Sequence, residues 1–301
     1  MEHKILSTSK KFKSVLITGA STGLGRETAV FLSNKGFTVF SGVRDTSNIA
    51  PDLTHDIHYI PLDVTHIESI DNALSLIKKS DAPPLWALIN NAGICVPSPL
   101  EILPIDELRY QLETNVIGQF SITQRVLPLF RYRKGRIINI TSSLGNLAMP
   151  YLGAYSMSQF AKEAFSDALR RELYNSGVNV IIIQPGSINT PLWDKFRPVG
   201  QNIMANTSSS SKKIYSRSFQ AFLEGCLIHA QSSTTTSEHF AQTVYLALTD
   251  NSPKTRYFVG QDSIDFRAKA HNLSTRTLDH ELSTISPSYD EFLIDSSILS
   301  H

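Results

Sequence analysis

The chain has 301 residues, 41% of them hydrophobic, enough to bury a large core, and α/β sheets often reach this size as one domain. Its 28 basic and 27 acidic residues give no electrostatic case for a nucleic-acid partner or a membrane surface, so a small molecule is the expected partner. The two cysteines, Cys95 and Cys226, lie far apart without CxxC spacing, which argues against a disulfide framework or a zinc site and fits a reducing compartment.

Residues 1–13 are polar and basic, lack the apolar run and cleavage site of a signal peptide, and read as a flexible arm. No stretch of 18 apolar residues follows, so no stable membrane anchor is expected and the location is read as cytoplasmic. From Ser14 on, short apolar runs at residues 14–18, 37–41, 58–62, 86–90, 136–141 and 178–184 alternate with helical spacing at 25–34, 67–79, 116–131 and 154–175. This alternation predicts an α/β fold, a doubly wound (Rossmann) parallel sheet spanning residues 14–265 as one domain. Residues 191–236 break the pattern with serine and threonine runs at 208–211 and 232–236. Between those runs Tyr215, Phe219, Phe222 and Cys226 recur at helical spacing, which predicts one lid helix between mobile linkers, a tolerated surface insertion being the alternative. A helix over 237–249 and a strand at 257–259 would complete the sheet, leaving 266–301 as a peripheral tail.

At the first strand-to-helix turn the chain reads Thr18-Gly19-Ala20-Ser21-Thr22-Gly23-Leu24-Gly25. In that context Gly19 permits a tight turn, Gly23 admits a pyrophosphate against the backbone beside Ser21, Thr22 and Leu24, and Gly25 allows close packing of helix and strand. The helix N-terminus supplies the anion site. After the second strand Val43 cannot bond ribose hydroxyls, whereas Arg44 can pair with a 2′-phosphate, which favours NADP over NAD. A solvated Arg44, or Asp45 in the ribose role, remains open. Asp63, followed by Val64, can reach an adenine amino group or cap the next helix. Asn91, Ala92 and Gly93 mark the cofactor cleft after the fourth strand.

The series TGASTGLG at 18–25, NNAG at 90–93, Asn115, Ser142 thirteen residues before Tyr155, and PGSINT at 185–190 resembles the short-chain dehydrogenase/reductase family over about residues 14–260. The stretch from Ala164 to Leu173 and Thr255-Arg256-Tyr257 are similar to its retinol and hydroxysteroid dehydrogenase branch. The resemblance implies an oxidoreductase acting on the carbonyl or alcohol carbon of an apolar substrate, in a homodimer or homotetramer, with no metal. It implies Tyr155 as proton donor or acceptor, Ser142 as hydrogen-bond donor to the reacting oxygen and Asn115 as holder of a relay water. It also implies cofactor contacts from Pro185, Gly186, Ile188 and Thr190, the last to the nicotinamide carboxamide.

The family pattern fails four residues after Tyr155, where its usual lysine is Gln159. A lysine there would bind the nicotinamide ribose and lower the tyrosine pKa from about 10; glutamine keeps the hydrogen bond without the charge. Reduction needs a protonated tyrosine and oxidation a phenolate, so a bias to reduction is expected. A catalytically weak NADP-binding sensor or scaffold is the alternative, and a dehydratase or epimerase on the same fold stays open. Lys162, seven residues after Tyr155 on roughly the same face, reads as a solvated charge or a subunit contact, with a substitute for the missing lysine as the lesser reading.

Overall fold

The computed structural model describes residues 13–47, 49 and 56–287; the expected arm up to residue 12 and the tail beyond 287 lie outside the described residues. Seven strands form one parallel sheet in the order β3-β2-β1-β4-β5-β6-β7: β1 Ser14–Thr18, β2 Thr38–Val43, β3 Ile57–Pro61, β4 Leu85–Asn90, β5 Arg136–Ile140, β6 Asn179–Pro185 and β7 Arg256–Val259. Every residue of β1, β2, β4 and β5 is buried, as runs such as Ser14–Thr18 and Leu85–Asn90 require of strands covered on both faces. On one face α1 (Gly23–Asn34) and α8 (Ser237–Thr249) pack over Ile17, Ile89, Ile138 and Ile183. On the other, α2 (Ile67–Lys79), α4 (Gly118–Arg131) and α5 (Gly153–Glu172) cover Leu16, Leu88, Ile137 and Val180.

Strand order reverses between β1 and β4, both hydrogen-bonded to each other in parallel register. Open α/β sheets bind ligands outside the carboxyl ends of strands at such a switch point. Thr18 and Asn90 end those two strands, which places the glycine loop and the 90–93 segment side by side.

Three expectations need correction. The 191–236 region holds two helices, α6 Leu192–Ala205 and α7 Ser209–Gln231, where one was expected. Its serine run is no linker: Ser208 is the N-cap of α7, accepting from the Ser211 amide at 3.1 Å, and Thr236 of the second run caps α8 in a capping box with His239. The tail from 266 is structural up to Ile285, because α9 (Gln261–Asn272) and α10 (Thr275–Leu282) lay Phe266, Ala270, Leu278 and Leu282 against the apolar cluster under the lid. A further helix, α3 (Ile105–Leu112), has no counterpart in the sequence reading. No helix among the described residues is long and apolar enough to cross a membrane.

Candidate active site

The three glycines of the first turn act differently. Gly19 and Gly23 have φ of +64° and +56°, conformations L side chains rarely adopt. Gly25 is needed for space, since a Cβ there would sit 2.5 Å from the Gly19 carbonyl and 2.6 Å from Asn91 Nδ2. Thr22, the N-cap of α1, makes no side-chain cap bond, so the first amides of the helix stay open to an anion. Across from this turn, a Cβ on Gly23 would have Thr190 and Pro191 as its nearest neighbours at 3.6 Å, so the 185–191 loop faces the glycine loop over the cleft.

The 90–93 segment is tied to the turn. Thr18 Oγ1 accepts from the amides of Asn91 and Ala92, both at 3.0 Å, and Asn91 Nδ2 donates to the carbonyls of Thr18 and Gly19. Gly93 faces the Asn115 side chain, with 3.4 Å between its would-be Cβ and Oδ1. At the far end of the cleft, exposed Arg44 donates to Tyr110 Oη at 3.3 Å. Asp63 accepts from the Thr65 amide and hydroxyl. Burial opposes ionisation of Asp63, but those bonds with His66 and Arg44 hold its carboxyl below the usual carboxylate range. The helix N-cap is His66, so Asp63 caps the turn before α2 and not the helix itself. Val64 is buried against Gly118. Asp45 Oδ1 accepts from the Ser47 amide and hydroxyl in a local turn.

The 185–191 loop is held more firmly than its sequence suggests. Gly186 donates to the Val259 carbonyl at 2.9 Å, Ser187 donates its amide to Asp262 Oδ2 at 2.6 Å and accepts at its carbonyl from Ser233, and Ile188 accepts from Trp193 Nε1. Asp262 and Ser233 escaped the sequence reading because nothing local distinguishes one acid or serine on a surface helix or linker from another.

Ser142 and Tyr155 meet at the carboxyl end of β5. Ser142 Oγ accepts from the Leu144 amide at 3.2 Å and stands near enough to the Tyr155 phenol to act on its ionisation. Burial pushes the Tyr155 pKa well above its ordinary value, the Cys95 thiol beside it adds to that, and Ser142 works the other way. The Asn115 side chain is engaged locally, Oδ1 accepting from the Ile94 amide and Nδ2 donating to the Ile94 carbonyl and Ser158, which pins the segment after β4. It lies within a π-helical turn, Glu113–Ile117, a local widening of the helix frequent at functional sites.

Gln159 is 2% exposed and its Oε1 is buried without a hydrogen-bond partner. Lys162 is neither solvated nor at the surface: it is 3% exposed and its ammonium donates to the Ile140 carbonyl, two residues before Ser142. Next to it Glu163 accepts from Thr141 Oγ1 at 2.6 Å, from Gln184 Nε2 at 2.7 Å and from Arg256 Nε at 3.0 Å. The helix that carries Tyr155 is thereby fastened to β5, β6 and β7.

Tyr155 packs on an apolar cluster in which Tyr151, Phe196, Phe219 and Phe222 are buried and Cys95, Met149 and Trp193 are partly so. The lid is bonded across it, Tyr215 Oη to Glu101 Oε2 at 2.6 Å and Tyr151 Oη to Ser218 Oγ at 2.9 Å.

A family model described as short chain dehydrogenase matches residues 13–199, and the chain belongs to that oxidoreductase family. It is 47% identical over 281 residues to a 3-amino-tetrahydro-pyrrolizinone reductase of Xenorhabdus hominickii, covering 93% of this chain and 98% of that protein. It is 33% identical over 273 residues to an NADPH-dependent 3-dehydrocapnine reductase of Ornithobacterium rhinotracheale, covering 88% and 94% of the two chains. It is also 33% identical to retinol dehydrogenase 7 of Mus musculus over 265 residues, 83% and 81% of the two chains, in keeping with the branch its sequence resembles.

Proposed function

We propose that the protein is an NADPH-dependent reductase of a compact, apolar carbonyl compound. The observation that carries this reading is the Tyr155 phenol, partly buried against the apolar cluster beside Ser142 and shifted toward its protonated form, with an uncharged Gln159 where a cation would draw it toward phenolate. NADPH, when bound, supplies the hydride. The residues fit such a group: the positive-φ glycines and the uncapped start of α1 would receive phosphates, Arg44 would pair with the 2′-phosphate with Asp63 and Val64 at the adenine end, and Gln159, whose Oε1 has no partner, would hydrogen-bond the ribose.

Ser142 already accepts from the Leu144 amide, so its hydroxyl hydrogen is left for the substrate oxygen in the complex. As charge develops on that oxygen, Tyr155 gives up its proton and the carbonyl becomes an alcohol. Asn115 acts through its main-chain carbonyl, since its side chain clamps Ile94. The apolar lining of the lid excludes water and selects a neutral substrate. The relative named for a pyrrolizinone makes a bicyclic, nitrogen-bearing ketone the first compound to test.

The test is a panel of cyclic ketones assayed with NADPH and NADH, on the native protein and on Arg44→Ala. Loss of a charge-assisted contact to the 2′-phosphate is expected to raise the NADPH KM about 10- to 100-fold and to leave that for NADH within about threefold. An NADPH KM unmoved by the substitution would remove Arg44 from the site. Exposed Ile117, Phe120, Met157 and Phe160 on α4, its approach and α5 support a homodimer or homotetramer across those helices, and a monomer in light scattering of the same sample would overturn that part.

A further inference from the structure

We propose that Lys162 and Gln159 together replace a single lysine at the ribose end of the cleft, Lys162 supplying the positive charge and Gln159 passing its hydrogen bond to the cofactor. The inference rests on the cofactor reading above and concerns how this chain meets a need its sequence seemed to leave open.

Both side chains are buried, at 2% and 3% exposure, on α5, the helix that carries Tyr155. A helix brings residues three and four apart together, so Tyr155, Gln159 and Lys162 form one row: phenol, amide, ammonium. Each of the last two is incomplete in a way the other can meet. Gln159 Oε1 is a buried acceptor with no donor, which a folded protein seldom tolerates without a reason. Lys162 has three donors, and the hydrogen bond drawn from its ammonium goes to the Ile140 carbonyl. Burial disfavours the charged ammonium and the neighbouring Glu163 carboxylate partly offsets that through space, but the hydrogen bonds of Glu163 go to Thr141, Gln184 and Arg256. The ammonium therefore keeps donors for a further acceptor.

When the cleft is filled, an ammonium donor to Oε1 satisfies the orphaned oxygen and fixes the amide with Nε2 outward, toward the ribose hydroxyls. No covalent step is involved. The charge sits one turn deeper than in the family pattern, which holds the cofactor while leaving the phenol protonated.

Four proteins decide the matter: native, Lys162→Met, Gln159→Lys and the double variant, each titrated with NADPH by fluorescence and assayed for kcat, with folding checked by circular dichroism. Lys162→Met is expected to weaken NADPH binding about 10-fold and lower kcat by a similar factor, the loss of one charge-assisted bond. Gln159→Lys alone places two ammonium groups in one buried space, and it is expected to be impaired at least as much. The double variant restores one charge at the cofactor and is expected to bind NADPH within about threefold of the native protein. A Lys162→Met protein that binds NADPH as the native one does, or a Gln159→Lys protein that improves binding with Lys162 in place, overturns the inference. Should Lys162→Met not fold, the contrast between Gln159→Lys and the double variant still decides. If the native protein binds NADPH but reduces nothing in the panel, the carbonyl-reductase reading fails while the binding arm still tests the pair; if it does not bind NADPH, both fall.

Discussion

Replacing Tyr155 by phenylalanine is expected to lower kcat for carbonyl reduction about 10²–10⁴-fold, the range of a positioned general acid, with NADPH affinity within a few-fold of native. Tyr155 is the phenol beside Ser142, whereas Tyr151 and Tyr215 at the same cluster donate to Ser218 and Glu101, and its neighbour Cys95 is no substitute, because burial first and Cys226 second push that thiol far above its ordinary pKa. Ser142→Ala keeps the proton donor and removes the second hydrogen bond, so a smaller loss in the same direction follows. Single-turnover and equilibrium binding measurements on the phenylalanine variant separate these effects; turnover within threefold of native would show that the proton comes from elsewhere.

Glu163→Ala is expected to destabilise the fold by about 3–5 kcal/mol, because it leaves the buried ends of Thr141, Gln184 and Arg256 without their shared acceptor. At this chain length that corresponds to a fall in Tm of roughly 5–8 °C. Arg256 keeps Asp167, at 2.6 Å, and Asp167 itself is held ionised below the usual range by Arg170 and Arg256 against the opposing effect of burial, so the loss is partial. Glu163→Gln retains an acceptor for Thr141 and should lose less than half as much. Thermal melts of the two variants check the order; equal Tm values for alanine and native proteins would mean that the network is not stabilising.

Much of the fold was legible in the sequence because parallel strands buried on both faces leave continuous apolar runs. Ser14–Thr18, Ile67–Lys79 and Ser237–Thr249 fall where spacing puts them. Helix α3 was not legible, since it buries only Gln111 and so has no apolar stripe. The lid was half read. Serine runs have the composition of a linker and also the chemistry of an N-cap, and only the Ser208–Ser211 bond tells them apart. The tail helices α9 and α10 reach the lid cluster with widely spaced residues such as Phe266 and Leu282, too sparse a pattern to register.

In the site, the glycine turn and the 90–93 segment follow β1 and β4, Ser142 follows β5 and Tyr155 begins α5, places that the alternation of strands and helices sets. Depth on α5 was the part that failed. That helix buries Ser158, Gln159, Lys162 and Ser166 and exposes Met157 and Phe160, the reverse of a helix that turns a polar face to water. Spacing alone assigns Lys162 a face but not an environment, and a charged residue on a polar face reads as solvated. The inward polar row exists because β5 and β4 present Asn139 and Asn90 to it, Asn139 Nδ2 donating to Ser166 and Asn90 Nδ2 to Asn139.

The direction of reaction tests the account most directly. Initial rates of reduction with NADPH and of oxidation with NADP, for one ketone and its alcohol, should be measured from pH 6 to 10. With the Tyr155 pKa raised, the acid form persists across this range, so reduction is expected to stay nearly flat. Oxidation, which needs the phenolate, should be slow at pH 7 and climb close to tenfold per pH unit without reaching a plateau. Comparable rates in both directions at pH 7, or oxidation levelling off below pH 8, would contradict a tyrosine held protonated and with it the reading of this protein as a reductase.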